Sequence, residues 1–408
     1  MAGRNPSRHR AAQAGISLVE TLVALALGLA LVTVAFNLHV SNRAVFAQIE
    51  AMTRLQESAS IAAALLETDL RHAEGTLCRH RQPLSTTIAV NATSNHFFAR
   101  ETTGLEGVHF YSSDPSAANY EDAIVGDDRI AGDSISITSD NMGAVARVVA
   151  NSASAAGTSY TFTVDDASKF PAGTLAMACD YNQAVLFQVS EITDTAGTDT
   201  ITLSTTGGTT PGNCSIYMRL KAGDPRDRSA DRETPYAFAS HLTQCMTSSE
   251  AEMYLFRPGS MIGQHTFNHW YIGRKTGAAS GAAGSALRRR SMTVSGGVLG
   301  YTDEEIVEDV SNMKISYLSD YRNTGYPAPF VQCPSESLSY YSSVSASGQS
   351  RSVYGDHTFS MVLAIRIELT LTSPARVGLA ANNVASAPTF TIPINVAIRA
   401  RMPGVVRR

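Results

Sequence analysis

Few side chains in this 408-residue chain are arranged for chemistry. His265 and His269 stand four positions apart, a spacing that grips one metal ion only on a helix. The surrounding Thr266-Phe267-Asn268-His269-Trp270-Tyr271 favours a strand, where the two rings share a face but stand too far apart for one ion. Cys78-Arg79-His80 offers a weaker ligand set still. Residues 121–133 hold five acids and one arginine. Their order is not that of an EF-hand, and a solvated acidic loop is the favoured reading over a calcium loop. Arg288-Arg289-Arg290 reads as a solvated turn, with an acidic partner as the alternative. The five cysteines, Cys78, Cys179, Cys214, Cys245 and Cys333, include no CxxC pair, so zinc and thioredoxin-type motifs are not indicated. There is no Walker A loop, GxSxG elbow, HExxH or dinucleotide fingerprint. No catalytic residue, metal ligand or cofactor is assigned on this basis.

The ionisable group in the least ordinary place is Glu20. Residues 16–40 read ISLVETLVALALGLALVTVAFNLHV, 25 residues whose one formal charge is Glu20. That length suits a membrane span. Arg4, Arg8 and Arg10 precede it with no acid among them, which predicts a cytoplasmic N-terminus and an exported body. A carboxylate inside such a stretch is costly and calls for a partner charge. A cleaved signal peptide would want an uninterrupted apolar region with a small-residue site after it. Here the glycine, Gly15, lies before it, and a cut there would place a new amine four residues from Glu20. The alternative is a plain signal anchor whose Glu20 reaches the headgroups.

The elements that would hold these groups follow from periodicity. Residues 41–73 contain no Pro or Gly and are rich in good helix formers. Val45, Ile49, Met52, Ala59, Ala62, Leu66, Leu70 and Ala73 recur as one apolar stripe, with Arg43, Gln48, Glu50, Arg54, Glu57 and Asp69 mostly off it. The spacing predicts one helix over 16–73 that stops at Glu74-Gly75 and docks its second half on a sheet. At about 1.5 Å per residue that helix is about 87 Å long.

After Gly75 the sequence reads as short strands with turn signals, giving an α+β fold: a long N-terminal helix on a mostly antiparallel β-rich body. Expected strands lie at 108–112, 134–138, 160–164, 184–192, 200–204, 215–220, 266–273, 313–318 and 359–372. Stretches 151–158, 277–286 and 335–350, rich in Gly, Ala and Ser, read as mobile surface loops. One elaborated domain is preferred, with a lobe near 150–220. An exported body makes disulfides the default state of the cysteines, and an odd count leaves one thiol over. A hairpin turning at Ala196-Gly197 would set Cys179 opposite Cys214, so a Cys179–Cys214 disulfide is expected. The charged fraction is 17%, the formal net charge is −4, and no long basic run exists, so no direct nucleic-acid binding is expected.

Gly15-Ile16-Ser17-Leu18-Val19-Glu20, behind a basic leader and ahead of an apolar run, resembles the class III signal of type IV pilins and type II secretion pseudopilins. The resemblance implies that a prepilin peptidase cuts between Gly15 and Ile16 and N-methylates Ile16. Residues 1–15 would then be lost. Residues 16–40 would form the membrane and assembly half of the helix, 41–74 its amphipathic half, and 75–408 the periplasmic body. Ile16 departs from the commoner Phe. Glu20 would meet the new amine of a neighbouring subunit and set register during assembly.

The body resembles the PilW-type minor pilins. The matching stretches run in order: Leu66-Glu67-Thr68-Asp69-Leu70-Arg71 with Gly75 and Cys78; Cys179-Asp180 leading into Ala184-Val185-Leu186-Phe187-Gln188-Val189; and Arg257-Pro258-Gly259 with Tyr271-Ile272-Gly273-Arg274. Ile306-Val307-Glu308-Asp309-Val310, Met313-Lys314-Ile315-Ser316-Tyr317, residues 362–370 and Val396-Ala397-Ile398-Arg399 complete the series. The Ser- and Gly-rich loops look like insertions, and Ala400 stands where that family usually has Asn. The resemblance implies a non-catalytic subunit of the inner membrane, with a periplasmic body, that primes pilus assembly. Its implied partners are the assembly platform, other minor pilins, the major pilin and often a large tip adhesin. Twitching motility, adhesion and DNA uptake would depend on it indirectly. Three alternatives stay open: a J-type secretion pseudopilin, whose body is markedly shorter; a signal-anchored periplasmic enzyme or binding protein; and a body that is itself the adhesin.

Overall fold

The computed structural model describes residues 17–73, 77, 85–91, 108–113, 124–180, 182–194, 199–221, 242–277, 284–319, 341–342, 362–373 and 387–398. Gly15, Ile16, the leader arginines and the proposed turn at 196–197 lie outside them.

Helix α1 runs unbroken over Leu18–His72, 55 residues. Ser17 starts it: its Oγ accepts the Val19 N–H at 3.3 Å, as an N-cap should. Pro is absent from it, and its one glycine, Gly28, has open space where a Cβ would stand. Contacts divide the chain at Arg54/Leu55: α1 up to Arg54 belongs to one compact unit, and α1 from Leu55 belongs, with every strand, to a second.

The strands of the second unit are, in order, β1 (Ser85–Ile88), β2 (Val108–Tyr111), β3 (Ala131–Ala153), β4 (Ser159–Val164), β5 (Leu175–Cys179) and β6 (Gln183–Gln188). There follow β7 (Glu191–Thr193), β8 (Asp199–Ser204), β9 (Arg219–Leu220), β10 (Leu242–Gln244), β11 (Ala251–Glu252) and β12 (Met261–Arg274). The chain closes through β13 (Ser285–Ser295), β14 (Val298–Glu308), β15 (Val310–Ser319), β16 (Tyr341–Ser342), β17 (Val362–Thr372) and β18 (Thr389–Ala397). The main sheet runs β10-β1-β6-β5-β12-β3-β4-β8-β7, with β2 on β3, β13 on β12 and β14 on β13. A four-stranded sheet has the order β16-β15-β17-β18. Among the described strands, pairing is antiparallel except where β1 meets β6 and β10. The fold is α+β.

Two principal cores sit within this unit. The first buries Leu55, Ala59, Ala62, Leu66 and Leu70 of α1 against Ile135, Trp270, Ile315, Ile367 and Ile394. The second is built on Tyr160, Phe162, Phe187, Ile201 and Ile216. Strand β3 serves both: Ile135 and Ile137 face the first, Ala146 and Val148 the second. Between them its register with β12 slips, Gln264 facing Asn141 while Gly263 faces Val145. Such a bulge bends a long strand from one core to the next.

The Cys179–Cys214 pairing is overturned. The β7–β8 hairpin has nearly the expected register, with Thr193 facing Thr200, but residues 183–193 are not one strand. The Asp180 carboxylate accepts the Asn182 and Gln183 N–H groups at 2.8 and 2.9 Å. That turn folds β6 back on β5 and puts Cys179 opposite Ala184. Cys214 is bonded to Cys245, with Cα atoms 5.2 Å apart. Cys179 is itself disulfide-bonded. Cys78 and Cys333 lie outside the described residues.

Candidate functional site

The exposed face of α1 is the first candidate. Large apolar side chains stand in solvent from Leu18, 75% exposed, through Phe46, 72%, to Ile49, 57%. The helix is long and apolar enough to cross a membrane. Glu20 is exposed on its first turn. It is the third residue after the capping Ser17, the place of the acid in an S-x-x-E capping box, where a carboxylate also favours the helix dipole. Glu20 thus has a local role in helix initiation available beside any role in pairing between subunits.

The stripe on the second half of α1 docks from Leu55 onward, while Val45 and Ile49 are exposed. Asp69 is the polar pin of this docking. Its carboxylate accepts from the Trp270 indole at 2.8 Å and the Asn268 amide at 3.1 Å. The Arg289 guanidinium stands 3.9 Å away and 5.6 Å from the Trp270 ring centroid. Burial pushes the Asp69 carboxyl above its ordinary range, against the opposing pull of these donors and of Arg289.

The arginine run is not a solvated turn. It lies on β13, and the β13–β14 register sets Arg288 opposite Glu305, Arg289 opposite Glu304 and Arg290 opposite Asp303. Arg290, 6% exposed, donates to Asp303 and Asp128 at 2.9 Å each and to the Ile124 carbonyl at 2.7 Å, with its guanidinium 4.2 Å from the Tyr301 ring centroid. Burial raises the Asp303 carboxyl, but hydrogen bonds from Tyr271, Arg288 and Arg290 outweigh it and hold the group below its usual range. Symmetry of the arginines and acids about Gly296-Gly297, a hairpin turn signal, was the sequence clue to this pairing.

Two of the three described acids of 121–133, Asp128 and Asp133, have internal roles. Asp128 holds Arg290, and Asp133 accepts the backbone N–H groups of Ser113 and Ile315, each at 2.8 Å. Beside it Gly132, at φ +66°, lies so near Met313 that a Cβ would be 2.6 Å from that backbone nitrogen. The two histidines lie on β12 and are held separately: His265 Nδ1 is 2.9 Å from Asp140 Oδ1, His269 Nδ1 is 2.9 Å from Ser136 Oγ. Ser136 and His269 are within the reach of a nucleophile and its base, but they are 1% and 0% exposed, so no substrate reaches them. Among the described residues there is no group of three or more His, Cys, Asp or Glu that could hold a metal ion.

The chain matches no family model, no curated protein and no solved structure.

Proposed function

We propose that this chain is a type IV pilin-like subunit, closest in kind to a PilW-type minor pilin. It is anchored in the inner membrane by the first half of α1 and primes pilus assembly with other minor pilins and the major pilin. The observation that carries this reading is the extent of exposed apolar surface on α1. Leu18 to Ile49 is 32 residues, about 48 Å at about 1.5 Å per residue. A bilayer's hydrocarbon core is about 30 Å thick, so lipid covers only part of it, and Val45, Phe46 and Ile49 fall to protein partners. Glu20 supports the same reading, since a carboxylate in lipid is tolerated where a neighbouring cation meets it. Prepilin peptidase supplies that cation by freeing the Ile16 amine, and assembly proceeds by packing and charge pairing without catalysis. The test is surface piliation by a Glu20→Ala variant. The variant is expected in the membrane but without pili, and normal piliation would remove Glu20 from the mechanism.

A further inference from the structure

We infer that His39 and Arg43 form a phosphate grip where α1 leaves the membrane, and that its ligand is the headgroup of anionic phospholipid on the exported face. The inference rests on the spanning reading above. Between Glu20 and His39 the helix carries no ionisable side chain. Leu18 to Leu38 is 21 residues, about 31 Å of helix at about 1.5 Å per residue, close to the hydrocarbon thickness of about 30 Å. His39 and Arg43 are the next ionisable groups, and at i, i+4 they share one side of the helix. Asn37, Ser41 and Asn42 complete a polar girdle around it. Both groups of the grip, imidazole and guanidinium, belong to exposed residues. Among the described residues neither has an ion-pair partner, and Glu50, two turns on, is engaged by Arg54 at 2.6 Å. A guanidinium fork matches phosphate geometry bidentately, and its long stem lets it lie along the acyl region while the head reaches the phosphates.

An acidic side chain of a neighbouring subunit is the competing ligand, and one experiment separates the two. The full chain, with guanidinium nitrogens isotopically labelled, is reconstituted in phosphatidylglycerol-containing bilayers and read by nitrogen-to-phosphorus dipolar recoupling. The wild type is expected to show an arginine signal dephased by phosphorus that Arg43→Gln loses, whatever the leader arginines contribute to both. Equal dephasing in the two samples, or an Arg43 signal dephased by carboxylate carbon instead, overturns the grip. Amide exchange of residues 18–38 in the same bilayers keeps the two readings apart. Protected amides without an Arg43–phosphorus contact sink only the grip, whereas freely exchanging amides sink the spanning reading and the grip with it.

Discussion

Two roles are open to Glu20, a local one and the proposed one, and a substitution separates them. As the third residue after the Ser17 cap it stands where a capping box places its acid, and glutamine suits that geometry as glutamate does. As the proposed partner of a neighbour's amine it would have to carry charge. Glu20→Gln is therefore expected to insert with normal helix content and still fail to assemble, as judged by pilus shear yield; full assembly by this variant would assign Glu20 to capping alone. Its oddity was legible because a single acid in an apolar run stands out in any reading of the chain. Asp69 was not legible in this way. It sits off the apolar stripe, where an acid ordinarily faces solvent, and only the fold brings the Trp270 indole onto it. Because burial raises its folded-state pKa, the folded chain keeps a proton there that the unfolded chain has already lost. Stability from this group is therefore present at low pH and declines as pH rises through the raised value. Denaturant midpoints across mildly acidic pH are expected to show this slope in the wild type and to lose that component in Asp69→Asn.

At the scale of elements, α1 and the strand bodies were readable from periodicity, and the limits of that reading are physical. The apolar stripe begins at Val45 but docking begins at Leu55, because periodicity reports which residues share a face and not where the sheet beneath them begins. Leu66 is wholly buried in that interface, and Leu66→Ala is expected to cost about 2–5 kcal/mol by the usual transfer and cavity terms, measured by chemical denaturation. Strand β3 was expected only at 134–138, since its Ser, Asn, Gly and Ala positions weaken strand preference. Pairing with β12 and β4 carries it through to Ala153 all the same. The β13–β14 hairpin was missed because three consecutive arginines read as solvent-facing, while cross-strand acids at matched register make them a structural ladder. Arg290 is the buried rung. Replacing it with alanine strands Asp303 without that partner and is expected to cost about 3–5 kcal/mol, seen as a lowered denaturation midpoint.

Across the whole molecule, what local sequence could not supply was long-range pairing. The turn residues near 197 set the β7–β8 register, but the break after β6 turns that strand back on β5 and removes Cys179 from the place opposite Cys214. Cys214–Cys245 instead closes a sequence separation of 31, worth up to about 4 kcal/mol in the chain-entropy model. Non-reducing peptide mapping is expected to recover those two cysteines in one linked fragment. Recovery of Cys214 with Cys179 would restore the earlier pairing and contradict the fold given for β5 and β6. In the proposed function the long exposed helix is what the chain presents to its partners, and α1 would be matured by cleavage for that purpose. The direct measurement is the intact mass and N-terminal peptide of the full chain expressed with and without a prepilin peptidase. A chain beginning at N-methylated Ile16, seen only with the peptidase, is the predicted result. A chain that keeps Arg4 through Gly15, while a control prepilin is processed in the same cells, would contradict the pilin account and leave a signal-anchored periplasmic protein in its place.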